Sequence, residues 1–320
     1  MRKAIFVFLV ISIFVFSIIP LSFGFSEPMP NKVLLRHFLE NQYVPQIGLL
    51  RAATRAYPDN VTIYVANDNV LAARALAVLG SPLASKILTV LNNNFSGGFN
   101  GKVDILVGKN IPDTFYASYD ELVKKVDGYR IVYEKLDHTK PIKDWYDYAD
   151  LLVYHALDKL LQGSRSEAEK AFLNLTRMWD GYGFRDRAFN GIYAVYKCAL
   201  FIYLYRALES AGSTIIYEYQ DIYEKCLEII AKAQDPVKGG IHTDYRVVDG
   251  KIVIQGDMNT ETTSIVVLAL YSNYPEIIGR KAFSPWNAVS YGYRVAEIVI
   301  PYSFGIMMIG SLYVLFRKLM

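Results

Sequence analysis

The stretch GGIHTDYRVVDGKIVIQGDMNTETTSIVVLAL, from Gly239 to Leu270, brings together the elements that decide the fold. It begins with a glycine turn, continues as a hairpin around Asp249-Gly250 and ends as an apolar helix. An Asp-Gly pair between alternating apolar residues is a strong hairpin signal, and Asn259 is a preferred residue type for capping a helix. The stretch therefore predicts a hairpin that leads the chain to the N-terminus of a buried helix.

The same order of elements occurs four times along the chain: a helix, a glycine turn with a large apolar residue, and later a second helix. The first helices are predicted over residues 31–43, 83–92, 165–178 and 217–233, and the second over 66–80, 144–163, 190–212 and 259–272. The first helices carry more charge, and two of them, RSEAEKAFLNLTRM and YEYQDIYEKCLEIIAKA, show one apolar stripe. The second helices are more apolar, and YAVYKCALFIYLY is apolar on nearly every side, which is typical of full burial. The repeat therefore predicts an outer and an inner layer of helices.

Two insertions between these helices are predicted to form strands. Tyr245 to Gln255 alternates around the Asp249-Gly250 turn, and residues 100–143 contain the strand-like runs KVDILVG and YRIVYEKL. We expect these strands to form a small sheet above one end of the helices.

Helical hairpins in two concentric layers, with GGF or GGI turns and an NTETTS helix, resemble the α/α-toroid superfold. That group includes six-hairpin glycosidases, polysaccharide lyases and terpenoid-cyclase-like proteins. The resemblance covers residues 31–275 and implies a mainly α fold with small β-hairpin insertions. Four units can be counted where a six-hairpin barrel has six, so the implied ring is incomplete. A terpenoid-cyclase type of activity would need an acid-rich cyclisation motif, which the sequence lacks.

The N-terminus has the pattern of a secretory signal. Arg2-Lys3 precede an uncharged apolar run, and small residues follow this run near Gly24. We therefore predict a signal peptide over residues 1–24 that is cleaved. An uncleaved signal anchor is the alternative.

The C-terminus predicts a membrane anchor. Ile298 to Phe316 carries no charge, and at 1.5 Å per residue this run spans roughly 28 Å, about one bilayer core. Arg317 and Lys318 follow, which favours a cytoplasmic tail. We predict an extracytoplasmic domain, a linker, a transmembrane helix and a cytoplasmic tail, over residues 25–283, 284–294, 295–316 and 317–320. A buried C-terminal helix is the alternative.

The charge between these two ends is balanced. Four of the 34 Lys and Arg residues lie at the ends, which leaves 30 basic against 31 acidic side chains. A nucleic-acid-binding domain needs a basic face, so that class of partner is not predicted. The four histidines lack metal-ligand spacing, and the sequence has no phosphate loop or nucleophile elbow, so we predict neither a metal nor a cofactor.

The two cysteines and three sequons fit an exported chain. Cys198 and Cys226 each lie 14 residues from Gly212, so they should sit at the same height of a helical hairpin and are a candidate disulfide. Two buried free thiols are the alternative. Candidate glycosylation sites in surface loops are Asn60, Asn94 and Asn174.

In a toroid the connections from outer to inner helices meet at one rim, so the resemblance places their polar residues around a common funnel. These residues are Arg51, Asp68, Asp147, Asp150, Arg185, Asp186, His242, Asp244, Asp257 and Glu261. Glycoside hydrolysis needs one protonated and one ionised carboxyl group. Glu261 is the predicted acid because partial burial in an apolar helix would raise its pKa.

Asp68 or Asp186 is the predicted base, and His242 is a further catalytic candidate. Candidate substrate-binding residues are Arg51, Tyr64, Trp145, Trp179, Tyr182, Arg185, Asp244 and Tyr245. Helix capping is the structural alternative for the acidic residues, because Asn, Asp and Glu are favoured at helix N-termini. In that interpretation Asn259 caps the last helix and Glu261 complements its dipole.

The sequence thus predicts a membrane-tethered, extracytoplasmic, glycan-active protein. Its reaction would be that of a glycoside hydrolase or polysaccharide lyase, carried out by rim carboxylates on a polysaccharide or surface glycan. The alternative is a non-catalytic surface toroid that binds glycan or a partner protein.

Overall fold

The computed structural model describes residues 29–55 and 60–272. The predicted signal peptide, linker, transmembrane helix and cytoplasmic tail lie outside these residues. Within the two described ranges, no helix has the length and apolar character that crossing a bilayer would require.

Eight α-helices occur in the described part of the chain, one for each predicted segment. They are α1 (Lys32–Asn41), α2 (Val70–Val78), α3 (Leu83–Phe95), α4 (Ala149–Leu161), α5 (Arg165–Thr176), α6 (Val195–Ser210), α7 (Gln220–Ala233) and α8 (Thr260–Tyr271). Three of the four predicted inner helices, α2, α4 and α6, begin later than expected. The residues before them form a kinked segment, a 3-10 turn and a short strand instead.

The inner helices α2, α4, α6 and α8 are buried on most sides and contact one another in the order α2, α8, α6, α4. The 3-10 helix Val103–Val107 contacts both α2 and α4 and is buried along its whole length. It therefore lies between the first and last helices of this row. KVDILVG was predicted to be a strand, and this prediction is wrong. A short apolar run has no period that separates a strand from a buried helical turn.

The outer helices each bury one face against an inner helix. α3 packs on α2, α5 on α4 and α7 on α6, while α1 packs on α8. The buried residues of α1, Leu35, Phe38 and Leu39, follow the spacing of one helix face. The described chain therefore starts and ends in one helix pair, and the Tyr271 hydroxyl at the end of α8 donates a hydrogen bond to the Pro30 carbonyl oxygen before α1.

Three small sheets accompany the helices within the described ranges. Their strands are β1 (Tyr43–Val44), β2 (Leu49–Leu50), β3 (Thr62–Tyr64), β4 (Tyr116–Val126), β5 (Tyr129–Pro141), β6 (Tyr193–Ala194), β7 (His242–Val248) and β8 (Lys251–Met258). The orders are β1-β2, β3-β5-β4 and β6-β7-β8. The two strand insertions therefore belong to separate sheets, and the prediction that they form a single small sheet is wrong. The predicted hairpin is confirmed as β7–β8, whose Asp249-Gly250 turn has φ of 50° and 72°.

The structure has both cysteines as buried free thiols, the alternative to the candidate disulfide. Cys198 lies on α6 and Cys226 on α7, and burial together with the adjacent Cys198 raises the pKa of Cys226. Two of the sequon asparagines, Asn94 and Asn174, are exposed but lie within α3 and α5 rather than in the predicted loops. Asn60 is exposed in a turn.

Candidate functional site

A cavity of about 620 Å³ opens beside the N-termini of α2 and α8, under the β4–β5 and β7–β8 hairpins. Its lining residues are Ala52, Tyr64, Asn67, Asp68, Ser118, Asp120, Glu134, Thr243, Asp244, Gly256, Asp257, Asn259 and Glu261. They come from three of the four long connections that precede the inner helices. The volume lies in the range of pockets that bind small molecules.

Five of the predicted site residues line this cavity: the rim acids Asp68, Asp244, Asp257 and Glu261, and the candidate substrate-binding residue Tyr64. They are up to 197 positions apart along the chain. The tertiary structure therefore brings the first and last predicted units together at one place.

Glu261 lies in the first turn of α8, where the capping role is already filled. Asn259 Oδ1 accepts a hydrogen bond of 2.8 Å from the Thr262 backbone nitrogen, as the capping interpretation predicts for Asn259. The Glu261 carboxyl has no hydrogen-bond or ion-pair partner among the described residues. Burial raises its pKa to about 7, and the charges on Glu134 and Asp150 add to this increase. It therefore has the proton affinity of a general acid near neutral pH.

Asp68 lies in the kinked segment that precedes α2. The neighbouring Asn67 has φ 54° and ψ −87°, outside the helical region. Asp68 is 5% exposed, and its Oδ2 has no hydrogen-bond partner in the described residues. Burial raises the pKa of Asp68 well above its ordinary value, and the charges of Glu261 and Glu134 act in the same direction. This environment favours a protonated carboxyl, which does not suit the predicted role as a base.

Glu134, in the middle of β5, was not predicted from the sequence. Asn67 Nδ2 donates a hydrogen bond to its Oε2, and Lys102 Nζ lies 3.5 Å from its Oε1. Both contacts suit a carboxylate. The turn of the β4–β5 hairpin is Asp127-Gly128, with φ of 48° and 83°. The same Asp-Gly signal marks the turn of the β7–β8 hairpin. It could have identified the second insertion as a hairpin from the sequence.

The remaining three carboxyl groups of the cavity accept hydrogen bonds. Asp257 accepts from Thr54 Oγ1 at 2.6 Å and from the Arg55 backbone nitrogen at 2.6 Å. Burial alone would raise the pKa of Asp257, but these bonds outweigh it and lower the pKa. Asp120 accepts from the Tyr64 hydroxyl at 3.2 Å, and Asp244 from Thr243 Oγ1 at 2.6 Å.

Asp186 is not part of the cavity lining. Its carboxylate lies 2.7 Å from Lys197 Nζ and accepts a 3.0 Å hydrogen bond from the backbone nitrogen of Ala149, the first residue of α4. Asp186 therefore accepts a hydrogen bond from the N-terminus of α4 and neutralises the buried ammonium group of Lys197, which corresponds to the capping alternative. The geometry does not place it as the partner of Glu261.

The predicted roles of His242 and Tyr245 also disagree with the geometry. His242 Nδ1 lies 2.9 Å from the Gly256 carbonyl oxygen at the base of the β7–β8 hairpin, and the residue does not line the cavity. Tyr245 is fully buried and stacks on Tyr193, and its hydroxyl donates to the Tyr182 carbonyl oxygen at 2.8 Å. Strand alternation turns Tyr245 towards the core, so it cannot stack on a sugar.

The other predicted binding residues lie away from the cavity lining. Trp145 packs on Phe115 and His155, and Trp179 packs on Phe184.

The polar members of this group have local partners or lie in solvent. Arg51 donates to the Asn41 carbonyl oxygen, and Arg185 pairs with Asp180 at 3.1 Å. Tyr182 is exposed at the surface. The aromatic and charged side chains of the third connection, residues 177–194, thus find partners within the connection or in neighbouring elements and do not line the cavity.

Two further acids of the predicted rim have different surroundings. Asp147 lies 3.8 Å from Arg187 and faces the third connection. Asp150 accepts a hydrogen bond from the Leu151 nitrogen, and its charge contributes to the raised pKa of Glu261. No group of three or more His, Cys, Asp or Glu side chains in the described ranges is placed to hold a metal ion.

No protein-family model matches this sequence, and no curated protein matches it. Among solved structures, the chain is similar to an inactive variant of alpha-1,6-mannanase GH76A of Salegentibacter sp. HEL1_6 in complex with alpha-1,6-mannotriose. The TM-score is 0.27 and the sequence identity 11%, over 70% of this chain and 57% of the mannanase chain. A TM-score this low does not establish a shared fold.

Proposed function

We propose that this protein is a glycoside hydrolase in which Glu261 is the general acid and Glu134 the ionised carboxylate. One observation carries the proposal. A carboxyl group with a pKa of about 7 lies in the same cavity as a carboxylate that Asn67 and Lys102 hold by hydrogen bonding and charge. Glycoside hydrolysis requires two carboxyl groups with this division of protonation state.

The reaction begins with proton transfer from Glu261 to the glycosidic oxygen, as the leaving group departs. Glu134 then stabilises the positive charge that develops on the sugar ring, as nucleophile or as the base that activates water. Asp68 is buried in the same cavity with its Oδ2 unpartnered, and it forms a hydrogen bond with a substituent of the sugar. Tyr64 lines the same cavity and offers a ring face to the sugar.

The charge of the cavity favours hydrolysis over the lyase alternative. A polysaccharide lyase acts on a uronic acid residue, whose carboxylate needs a positive partner. None of the described lining residues is basic, and the two nearby cations, Lys102 and Arg55, already pair with Glu134 and Asp257. A uronate would therefore be repelled from this site.

The proposal includes a membrane-tethered, extracytoplasmic location. Its support is the sequence of the two hydrophobic ends, with the basic residues that flank them. An extracytoplasmic location would give the cavity access to polysaccharide or surface glycan.

The test is hydrolysis by the full 320-residue chain, purified in a mild detergent, on a panel of neutral, amino and uronic polysaccharides. New reducing ends report hydrolysis, and unsaturated uronates report lyase activity. We expect reducing ends, and a loss of at least about 100-fold in rate in Glu261→Gln and in Glu134→Gln, the usual size of a general-acid contribution.

Glu167→Gln is the matched control, because Glu167 is also an acid in the first turn of a helix but is exposed on α5. It should keep full activity. Glycan binding without turnover, unchanged by Glu261→Gln, would make the protein a non-catalytic surface-binding protein and overturn the proposal.

A further inference from the structure

We propose that the cavity takes a glycan whose sugar residues carry a free, protonated amino group. This inference rests on the proposed function, because it names the substrate class of the same site. It follows from the charges that line the cavity and from one buried oxygen that has no partner.

The cavity holds more carboxyl groups than its basic neighbours can pair with. Its six carboxyl groups are those of Asp68, Asp120, Glu134, Asp244, Asp257 and Glu261. Arg55 Nε lies 3.3 Å from Asp257, and Lys102 Nζ lies 3.5 Å from Glu134. Within residues 29–55 and 60–272, the other four carboxyl groups have no basic partner. A ligand that brings its own positive charge would complete the site.

Asp68 provides an independent observation that points to such a ligand. Its side chain is about nineteen-twentieths buried, it lines the cavity, and its Oδ2 accepts no hydrogen bond from any described residue. Leaving a buried acceptor unsatisfied is costly, so native structures usually satisfy such atoms. A ligand donor in the cavity would satisfy Oδ2, and an ammonium group supplies three N–H donors together with a positive charge.

The surroundings of Asp68 and Glu261 favour a cation over a neutral donor. Burial, and then repulsion by acidic neighbours, raise the pKa of Asp68 and of Glu261, so both carboxyl groups resist ionisation without a nearby cation. A sugar hydroxyl would donate a hydrogen bond but leave this mutual repulsion unchanged. An ammonium group would donate a hydrogen bond and would also favour the ionised form of Asp68, because a positive charge stabilises an adjacent carboxylate.

The alternatives for a positive or polar ligand fit less well. A bare metal ion needs several carboxylates converging on one point, and no such group is placed for it in the described residues. A uronate or a sulfated sugar would add negative charge to an acidic cavity. An N-acetylated amino sugar has the same ring but no charge, and it is therefore the matched comparison.

The experiment compares oligosaccharides of β-1,4-linked glucosamine with the fully N-acetylated oligomers and with glucose oligomers of equal length. Binding and hydrolysis by the full chain are measured at pH 6 and low salt. We expect the glucosamine oligomer to bind at least about tenfold more tightly than the acetylated one, because its ammonium group forms charge-assisted hydrogen bonds that a neutral acetamide group cannot form.

Two variants locate the effect. Asp68→Asn keeps the shape of the side chain but removes its charge, and should reduce the preference for the amino sugar about tenfold. Asp244→Asn removes another carboxyl group of the cavity at a partly exposed position. It therefore tests the role of the acidic lining even if Asp68→Asn does not fold. Glu167→Gln should leave the preference unchanged.

The outcomes separate the two proposals. Equal or tighter binding and hydrolysis of the acetylated or glucose oligomers would overturn the amino-sugar inference and leave the hydrolase proposal standing. The inference would equally be overturned if Asp68→Asn and Asp244→Asn both kept the preference. If no glycan in either panel is bound or cleaved, the proposed function fails and the inference fails with it.

Discussion

Lys197 Nζ lies 2.7 Å from Asp186 Oδ2, and the two side chains are 8% and 0% exposed. Because Asp186 also accepts a hydrogen bond from the Ala149 nitrogen, this ion pair joins the inner helix α6 to the N-terminus of α4. The pair lies outside the cavity lining. The ion pair therefore stabilises the fold. We expect a substitution of Asp186 to lower the stability of the protein and to leave the chemistry of the cavity unchanged.

We predict that Asp186→Asn destabilises the protein by about 3–5 kcal/mol, because Lys197 would remain buried with its charge uncompensated. The double variant Asp186→Asn/Lys197→Met should recover most of that loss, since it removes both charges. Denaturant unfolding measures the free energy, and turnover per folded molecule measures chemistry. A variant that keeps its stability but loses turnover would return Asp186 to the catalytic machinery.

The raised pKa of Glu261 predicts a pH-dependent stability. Folded Glu261 holds a proton up to a pH of about 7, whereas its ordinary value is 4.5. Between these values the folded state binds more protons than the unfolded state, so the free energy of unfolding falls as pH rises. The Glu261 contribution to this fall is about 3 kcal/mol.

Glu261→Gln should remove that contribution, so its stability relative to the parent should be greater at pH 8 than at pH 4.5. Thermal unfolding at the two pH values measures the difference, with Glu167→Gln as the control that keeps the parent's dependence. The same pH dependence in the parent and in Glu261→Gln would contradict the burial of this group.

Asn67 combines an unfavourable backbone with two side-chain contacts at the cavity. Its backbone φ is 54°. Its side-chain Nδ2 donates a hydrogen bond to Glu134 Oε2, and its Oδ1 accepts one from Asn100 Nδ2 at 2.8 Å. Asn67→Gly and Asn67→Ala both remove these contacts, but only glycine adopts this φ without strain. We predict that Asn67→Ala is less stable than Asn67→Gly by about 1–3 kcal/mol.

Both Asn67 variants should also lose activity, because Glu134 loses a hydrogen-bond donor that orients it. Denaturant unfolding and turnover on the best substrate measure the two effects separately. If the alanine variant is as stable as the glycine variant, the backbone of this segment is not strained.

Gly239 is the point where the glycine turn packs on the first described helix. Its φ is 81°, and a Cβ at this position would lie 2.3 Å from the Leu34 carbonyl oxygen. Gly163 is the matched control, because its φ is 82° and an added Cβ meets nothing within 4 Å. We predict that Gly239→Ala costs about 1–3 kcal/mol more than Gly163→Ala, since only the former forces α1 away from the turn. Equal losses of stability in the two variants would show that backbone strain alone accounts for the effect.

Several features were determined by the sequence itself, because the forces behind them act over a few residues. The eight helices follow from apolar periodicity, and the β7–β8 hairpin from Asp249-Gly250, whose backbone adopts the positive φ that such a turn needs. The cap of α8 follows from Asn259, whose side chain reaches the next turn. Even the position of Glu261 at a helix N-terminus is local information.

The composition of the cavity was decided only by tertiary structure. Glu134 is 127 positions before Glu261, and their proximity depends on the register of β4–β5 and on how that hairpin lies over the inner helices. Long-range packing also pairs Asp186 with Lys197 outside the cavity lining and buries Tyr245 in the core. Periodicity shows that a side chain lies at a helix end or on a strand face, but its partners come from distant segments. Those partners decide whether a carboxyl group stays ionised as part of the fold or keeps a proton in the cavity.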